Sequence, residues 1–182
     1  MISHMLQTGR TVLFFLLTSL AANAGDWQRD SRTAAGRLEF QAIASPGSLK
    51  IDGKVNPKEP KAFQWPLKEK GGVLHAAGKF KVAAWDTGLE LRNSHLRDNY
   101  LEAKKYPEST FKMTPQKLPS STFRGELTLH GKTRPVSGEL KTAEKDVEFR
   151  FPVKLSDFEI TIPSFMGVSV SEEVWVTATF KK

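Results

Sequence analysis

The sequence predicts an all-β chain: about eight antiparallel strands around an apolar interior, closed into a barrel or stacked as a sandwich. Three observations carry that expectation. Apolar and polar residues alternate with period two in one segment after another. The segments follow at short spacing, punctuated by glycine and proline. Only one stretch, Leu91 to Phe111, "LRNSHLRDNYLEAKKYPESTF", replaces the alternation with a helical spacing.

The chain opens "MISHMLQTGRTVLFFLLTSLAANA". Arg10 supplies a positive start, Thr11 to Leu20 a short apolar core, and Ala22-Asn23-Ala24 the small-x-small pattern that signal peptidase cuts after. An apolar run of roughly 12 residues is too short to cross a hydrocarbon layer of ~30 Å as a helix. Residues 1–24 therefore read as a secretory signal, and residues 25–182 as one domain that is soluble where it is delivered. No cysteine is present, which excludes disulfides, thiolate metal sites and a lipoprotein anchor.

The chain carries 27 Lys and Arg against 20 Asp and Glu, a net charge of +7; loss of Arg10 with the signal lowers it by one. A basic excess can attract nucleic acid or anionic headgroups. Here the lysines are scattered opposite apolar residues, which describes a solvated strand face. Nucleic acid is not an expected partner of an exported protein.

Along the mature chain, "GRLEFQA" sets Leu38, Phe40 and Ala42 against Glu39 and Gln41. "SLKIDGKV" gives Leu49, Ile51 and Val55, interrupted by Gly53. "NPKEPKAFQWPLKEKGG", Asn56 to Gly72, has three prolines, two terminal glycines and no clean period, so it reads as a long loop. Its lysines bracket Phe63 and Trp65, which admits a membrane-touching flap or a plain excursion over the rim. "GKFKVAAW" sets Phe80, Val82 and Ala84 against Lys79 and Lys81, and "STFKMT" contributes Phe111 and Met113. "FRGELTLHGKTRPVSGEL" reads as two strands joined by a tight turn at His130 to Arg134.

"DVEFRFPVKL" is the clearest strand. Val147, Phe149, Phe151, Val153 and Leu155 share one face, with Glu148, Arg150, Pro152 and Lys154 on the other. Pro152 has no N–H to give a ladder and belongs at a bulge or an unpaired position. "VWVTATFKK" repeats the pattern with Val174, Val176, Ala178 and Phe180. In the helical stretch, Asn93 or Ser94 suits the N-cap, Lys104 and Lys105 suit the negative end of the dipole, and Tyr106-Pro107 stops the helix. Leu96 and Tyr100, four apart, form a small apolar face. About three turns cannot stand alone, so the helix must lean on the sheet as a plug or side wall.

Candidate chemistry is mostly eliminated. "GELTLHGKT" has five residues between Gly125 and Gly131 where a phosphate loop needs four, and it lies between strands rather than before a helix. His75, His95 and His130 are the histidines beyond residue 24, and none is spaced to present two ligands on one helix. Ser94, His95 and Asp98 are close in sequence, but adjacent helical residues point apart, so the serine cannot use that histidine as its base. No enzyme is expected. Twelve phenylalanines can either fill a barrel of about eight strands or line it, and composition does not choose.

Three ordered blocks, "WDTGLELRNSHLRDNYLEAKKYPESTF" (Trp85 to Phe111), "GELTLHGKTRPV" (Gly125 to Val136) and "VKLSDFEITIPSFMGVSVSEEVWV" (Val153 to Val176), resemble the YceI-like family. "SPGSLKIDGKV" resembles its early strand, and Asn56 to Gly72 departs from it. The resemblance implies a lipocalin-like, eight-stranded antiparallel β-barrel, usually exported to the periplasm. It implies a binding protein whose ligand is a long apolar amphiphile, a polyisoprenoid, a quinone-like molecule or a fatty lipid. The lining set that follows is Phe40, Ile51, Phe80, Val82, Phe111, Leu127, Leu129, Phe149, Phe151, Val174 and Val176. Beyond that ligand no cofactor or metal is expected. The partners are the apolar lipid and, in passing, a membrane surface. The competing expectation is an envelope stress or interaction protein with a filled barrel and a basic binding face.

Overall fold

The computed structural model describes residues 27–29, 36–46, 48–55, 62–165 and 167–181. The expected signal at 1–24, and residues 56–61 of the expected loop, lie outside the described residues. Eight long strands form: β1 (Gly36–Ser45), β2 (Leu49–Val55), β3 (Val73–Lys81), β4 (Glu108–Met113), β5 (Thr122–Leu129), β6 (Lys132–Thr142), β7 (Asp146–Lys154) and β8 (Glu173–Lys181). They make one antiparallel sheet in the order β3-β4-β5-β6-β7-β8-β1-β2. The all-β, lipocalin-like expectation is the observed architecture, in the form of a curled half-barrel.

Among the described residues no ladder joins β2 to β3. The end of β2 pairs instead with the short segment Trp85–Asp86 (Lys54 with Asp86, Val55 with Trp85). The outer edge of β3 is taken by Phe63–Gln64 and Leu67–Lys70. This corrects the reading of Asn56 to Gly72: its described part is two short strands with Pro66 between them. Trp65 is 2% exposed and Phe63 packs against the core, so neither side chain forms a flap for a membrane.

The alternation of β7 sorts as its sequence implies, with Val147, Phe149, Phe151 and Val153 all buried. Pro152 faces Trp175 across the β7–β8 ladder, while on the other side the β6 ladder has ended at Glu139–Arg150. Its missing N–H falls where no partner strand remains. Next to that point β6 and β7 approach closely at Gly138, where a Cβ would lie 2.2 Å from the Arg150 carbonyl oxygen and 2.7 Å from Phe151 Cβ.

The interior is filled from one side by aromatic rings. Trp65 stacks on Phe111 at 4.7 Å and meets Phe180 at 5.3 Å, while Phe123 stands edge-on to Phe149 at 5.3 Å and to Phe151 at 5.7 Å. Offset and edge-to-face pairs at these separations add to area burial.

Three local expectations change. Val82–Ala84 is a 3₁₀ turn rather than the end of a strand, though Val82 and Ala84 stay buried. The β5–β6 turn is only His130-Gly131, both at positive φ (50° and 70°), the two-residue form that matches strand twist. The helix starts earlier: an α-turn over Glu90–His95 (α1) continues as a π-turn over Leu96–Tyr100, with Leu89 at the N-cap. Ser94 is therefore not the cap; its Oγ donates to the Leu91 carbonyl, 2.9 Å.

Gly138→Ala is expected to lower unfolding stability by roughly 1–3 kcal/mol through overpacking against the β7 backbone. Urea unfolding measures it, and an unchanged midpoint would show that β6 and β7 can separate there.

Candidate functional site

Helix α1 is clamped where it begins. The Asp86 carboxylate accepts from the Gly88 N–H (2.8 Å) and the Asn93 amide (3.1 Å). The Asn93 side-chain oxygen accepts from the backbone N–H and hydroxyl of Thr87, both at 2.7 Å. Arg92 donates through Nε to the Thr87 hydroxyl (2.9 Å) and through Nη2 to the Thr87 carbonyl (2.6 Å). Asn93 thus ties the helix back to the preceding turn, which is why it sits inside the helix. The Asp86 carboxyl is held below its ordinary pKa, first by the Gly88 N–H, then by the Asn93 amide, with a weaker attraction to Lys54.

Fixed in this way, α1 stands across from β1, β2 and the short strand Val168–Val170, which pairs with the end of β1. Between them is a groove of about 600 Å³. Its apolar walls are Phe40 and Ala42 from β1, Ile51 from β2, Leu89, Leu91, Leu96 and Tyr100 from the helix, and Leu155, Pro163, Val168, Val170 and Val174 opposite. Polar walls are fewer: Thr87, Glu90, Arg92, His95, Ser164 and Ser169. Deeper in the half-barrel is a void of about 90 Å³, walled by Trp65, Phe80, Trp85, Leu101, Leu127, Leu129, Phe151, Val176 and others. The two share Phe40, Leu155 and Val174.

The expected lining residues divide accordingly. Phe40 and Val174 border both spaces, Ile51 borders the groove, and Phe80, Leu127, Leu129, Phe151 and Val176 border the inner void. Val82, Phe111 and Phe149 border neither and are buried in the packed core. The helix residues are absent from the expected lining: Leu96 and Tyr100 read as the face that leans on the sheet, and Leu89 and Leu91 lie at or before the start of the helical stretch. Their signal is two leucines flanking an acidic residue just after Thr87-Gly88.

Among the described residues, five large apolar side chains remain exposed. Leu91 is 66%, Leu49 63%, Leu89 59%, Val168 42% and Ile162 39% exposed. Leu89, Leu91 and Val168 are groove walls. Leu49 lies two residues before Ile51 on the same face of β2, and Ile162 precedes Pro163. A patch of this kind rimming a concavity marks a contact site. A second depression of about 590 Å³, on the outer face of β1, β2, β7 and β8, is walled by Glu39, Gln41, Asp52, Lys54, Asp86 and Arg150 and does not suit a hydrocarbon.

His130 is the one histidine among the described residues that is buried. Its Nε2 lies 2.6 Å from Glu102 Oε2 and its Nδ1 3.0 Å from the Phe158 carbonyl, with Tyr106 edge-on at 4.5 Å. A carbonyl only accepts, so Nδ1 carries a hydrogen there. The imidazole braces the end of the helical segment, the β5–β6 turn and the turn at Leu155–Phe158. Among the described residues no three His, Asp or Glu side chains converge on a metal-sized site.

Asn93→Ala should raise the Asp86 pKa toward its ordinary value, read from the side-chain carboxyl carbon by NMR. Because the folded value is depressed, the clamp contributes fully above pH ~3.8 and is lost as pH falls through the folded pKa. An unmoved Asp86 titration in this variant would show that Gly88 and Lys54 set it without Asn93.

A family model described as the YceI-like domain matches residues 27–181. A UPF0312 protein of Yersinia enterocolitica is 29% identical over 170 residues, covering 84% of this chain and 85% of its own. The crystal structure of BcnA from Burkholderia cenocepacia superposes with a TM-score of 0.58 at 20% identity, over 80% of this chain and 96% of that one. A polyisoprenoid binding domain from Saccharophagus degradans superposes with a TM-score of 0.59 at 14% identity, over 86% and 96%. At these identities the two structures speak for the fold. The family match reaches from the short strand before β1 to the last residue of β8, and on that span the chain belongs to the YceI-like family.

Proposed function

We propose that this protein is a periplasmic binding protein, exported by its N-terminal segment, that carries or sequesters a long apolar amphiphile and performs no chemistry on it. The ligand class is a polyisoprenoid, a quinone-like molecule or a fatty lipid. The observation that carries the reading is the groove beside α1: about 600 Å³, in the range of small-molecule sites, with apolar walls that include the exposed Leu89, Leu91 and Val168. The Saccharophagus domain of the same fold is described as polyisoprenoid-binding, which supports the choice of ligand.

Each methylene moved from water into such a groove gains about 0.8 kcal/mol. A chain leaving a bilayer gains far less, because it was already in hydrocarbon. The mouth therefore serves to shorten the aqueous passage, with Leu49, Leu89, Leu91 and Val168 touching the headgroup region and Lys50, beside Leu49, meeting anionic lipid. The alternative of a filled barrel acting through its basic face draws on the aromatic packing of the interior.

Native mass spectrometry and lipid extraction of protein from the periplasmic fraction separate the two. The carrier reading expects a co-purifying apolar molecule, reduced at least tenfold in Ile51→Trp and Val174→Trp, which fill the groove while keeping the fold by circular dichroism. A ligand-free spectrum together with liposome binding would favour the filled barrel instead. Leu89→Ser with Leu91→Ser is expected to weaken flotation with phosphatidylethanolamine–phosphatidylglycerol vesicles severalfold. Flotation equal to that of the unaltered protein would remove the helix from the membrane contact.

A further inference from the structure

The edge of β2 and the start of α1 separate like the arms of a fork. Val55 pairs with Trp85 and Lys54 with Asp86. Continued in that register, Gly53, Asp52 and Ile51 would meet Thr87, Gly88 and Leu89. Among the described residues no ladder forms there, because the second arm directs its N–H groups elsewhere. Thr87 donates to the Asn93 side chain at 2.7 Å, and Gly88 to the Asp86 carboxylate at 2.8 Å. A Cβ at Gly88 would meet nothing within 4 Å, so the fork is open on that arm. Its residues wall two different spaces. Asp52, Gly53 and Gly88 border the outer depression of about 590 Å³. Ile51 and Leu89 border the groove, and Thr87 and Phe40 border both. A polar space and an apolar one adjoin at the fork.

Resting on the carrier reading, we propose that the amphiphile lays its tail in the groove and passes its head through the fork into the outer depression, and that the head is an uncharged, multiply hydroxylated group the size of a sugar. The depression has the volume of a small-molecule site. Glu39, Asp52 and Asp86 stand there against Lys54 and Arg150, so neither sign dominates. The cations are already engaged: Arg150 lies over the Trp175 ring at 4.1 Å and 3.8 Å from Glu139, and Lys54 is drawn to Asp86. An anionic head would approach three carboxylates to reach them. Hydroxyls suit the site better, because they both donate and accept. A carboxylate has about four acceptor sites and a guanidinium five donors, so Asp52, which accepts from Gln41 at 2.9 Å, and Arg150 keep capacity for them. The inner void points the molecule the same way. Its walls are aliphatic or aromatic, so several hydroxyls taken there would lose hydration without replacement. A hydrocarbon end has no such hydration to lose, and the head outside remains in reach of water.

The test compares probes that share one tail, dodecyl glucoside, dodecanol and dodecyl sulfate, each below its micelle concentration, by competition against a fluorescent fatty probe. The reading is the glucoside-to-alcohol affinity ratio, in which tail effects cancel in the manner of a mutant cycle. The unaltered protein is expected to prefer the glucoside about tenfold, equivalent to ~1.4 kcal/mol, and to bind the sulfate no more tightly than the alcohol. Asp52→Ala and Arg150→Ala, both on outer strand faces and checked for fold by circular dichroism, should each lower the ratio severalfold. If the probes bind and neither variant moves the ratio, or if the sulfate binds most tightly, the head placement is overturned while the carrier reading stands. If the unaltered protein binds none of the probes, the carrier reading fails first and the placement with it.

Discussion

The edge of β3 decides the shape of this molecule. A strand edge left open exposes unpaired backbone groups and must be covered. In an eight-stranded barrel β2 would cover it, but here Phe63–Gln64 and Leu67–Lys70 already do. The sheet therefore stays a half-barrel, and the cover brings Trp65 with it. Its indole enters the space a lumen would occupy and stacks among Phe111, Phe149 and Phe180. Gly78 makes room for it: a Cβ there would lie 2.2 Å from the ring. Among the described residues, the same substitution of partners leaves the outer edge of β2 unpaired before Lys54. The space beside β2 is what α1 encloses as the groove.

That arrangement assigns different physics to the two sides of the interior. Around Trp65 the rings interlock, and interior packing of this density leaves little free volume. Beside α1 the wall is held at the start of the helix by the Asp86–Thr87–Asn93–Arg92 network, so the helix does not have to collapse onto β1 and β2 to be stable. Polar bonds at that end substitute for apolar contacts along its face. The brace at His130, Glu102 and Phe158 does the same for the segment that follows the helix.

Most of the strands were legible because they bury alternate residues, as Thr122–Leu129 and Asp146–Lys154 do; Lys132 to Thr142, with Leu140 alone buried, was legible from the tight turn before it. The short strands were not: Phe63-Gln64 owes its strand state to Lys79 and Phe80, about fifteen residues on, and Leu67 to Lys70 folds back on β3 through Gly71-Gly72, a two-residue hairpin signal masked by the prolines before it. The helix start was misread for a related reason. Asn93 is a good N-cap in isolation, but tertiary bonds to Asp86 and Thr87 gave its side chain another use. Of the expected lining residues, Phe111 and Phe149 sit in the packed core while Phe80 and Phe151 reach the inner void. Alternation marks all four as inward, and inward is common to a wall and a filling. Only the position of Trp65, outside any readable pattern, distinguishes them.

A groove with hydrocarbon walls cannot outcompete a bilayer for hydrocarbon. The transfer from one apolar phase to another is nearly neutral, and ordering the chain in one conformation costs rotamer freedom that the bilayer leaves intact. On the carrier reading, what the groove offers instead is a fixed shape. The network at Asp86, Thr87, Asn93 and Arg92 holds the start of α1, so the walls stand apart without a ligand between them and a chain can enter without first separating packed side chains. Leu89, Leu91 and Val168, exposed walls of the same groove, then shorten the aqueous passage between a membrane and the interior, and the contour of those walls rather than apolar area decides which chains fit.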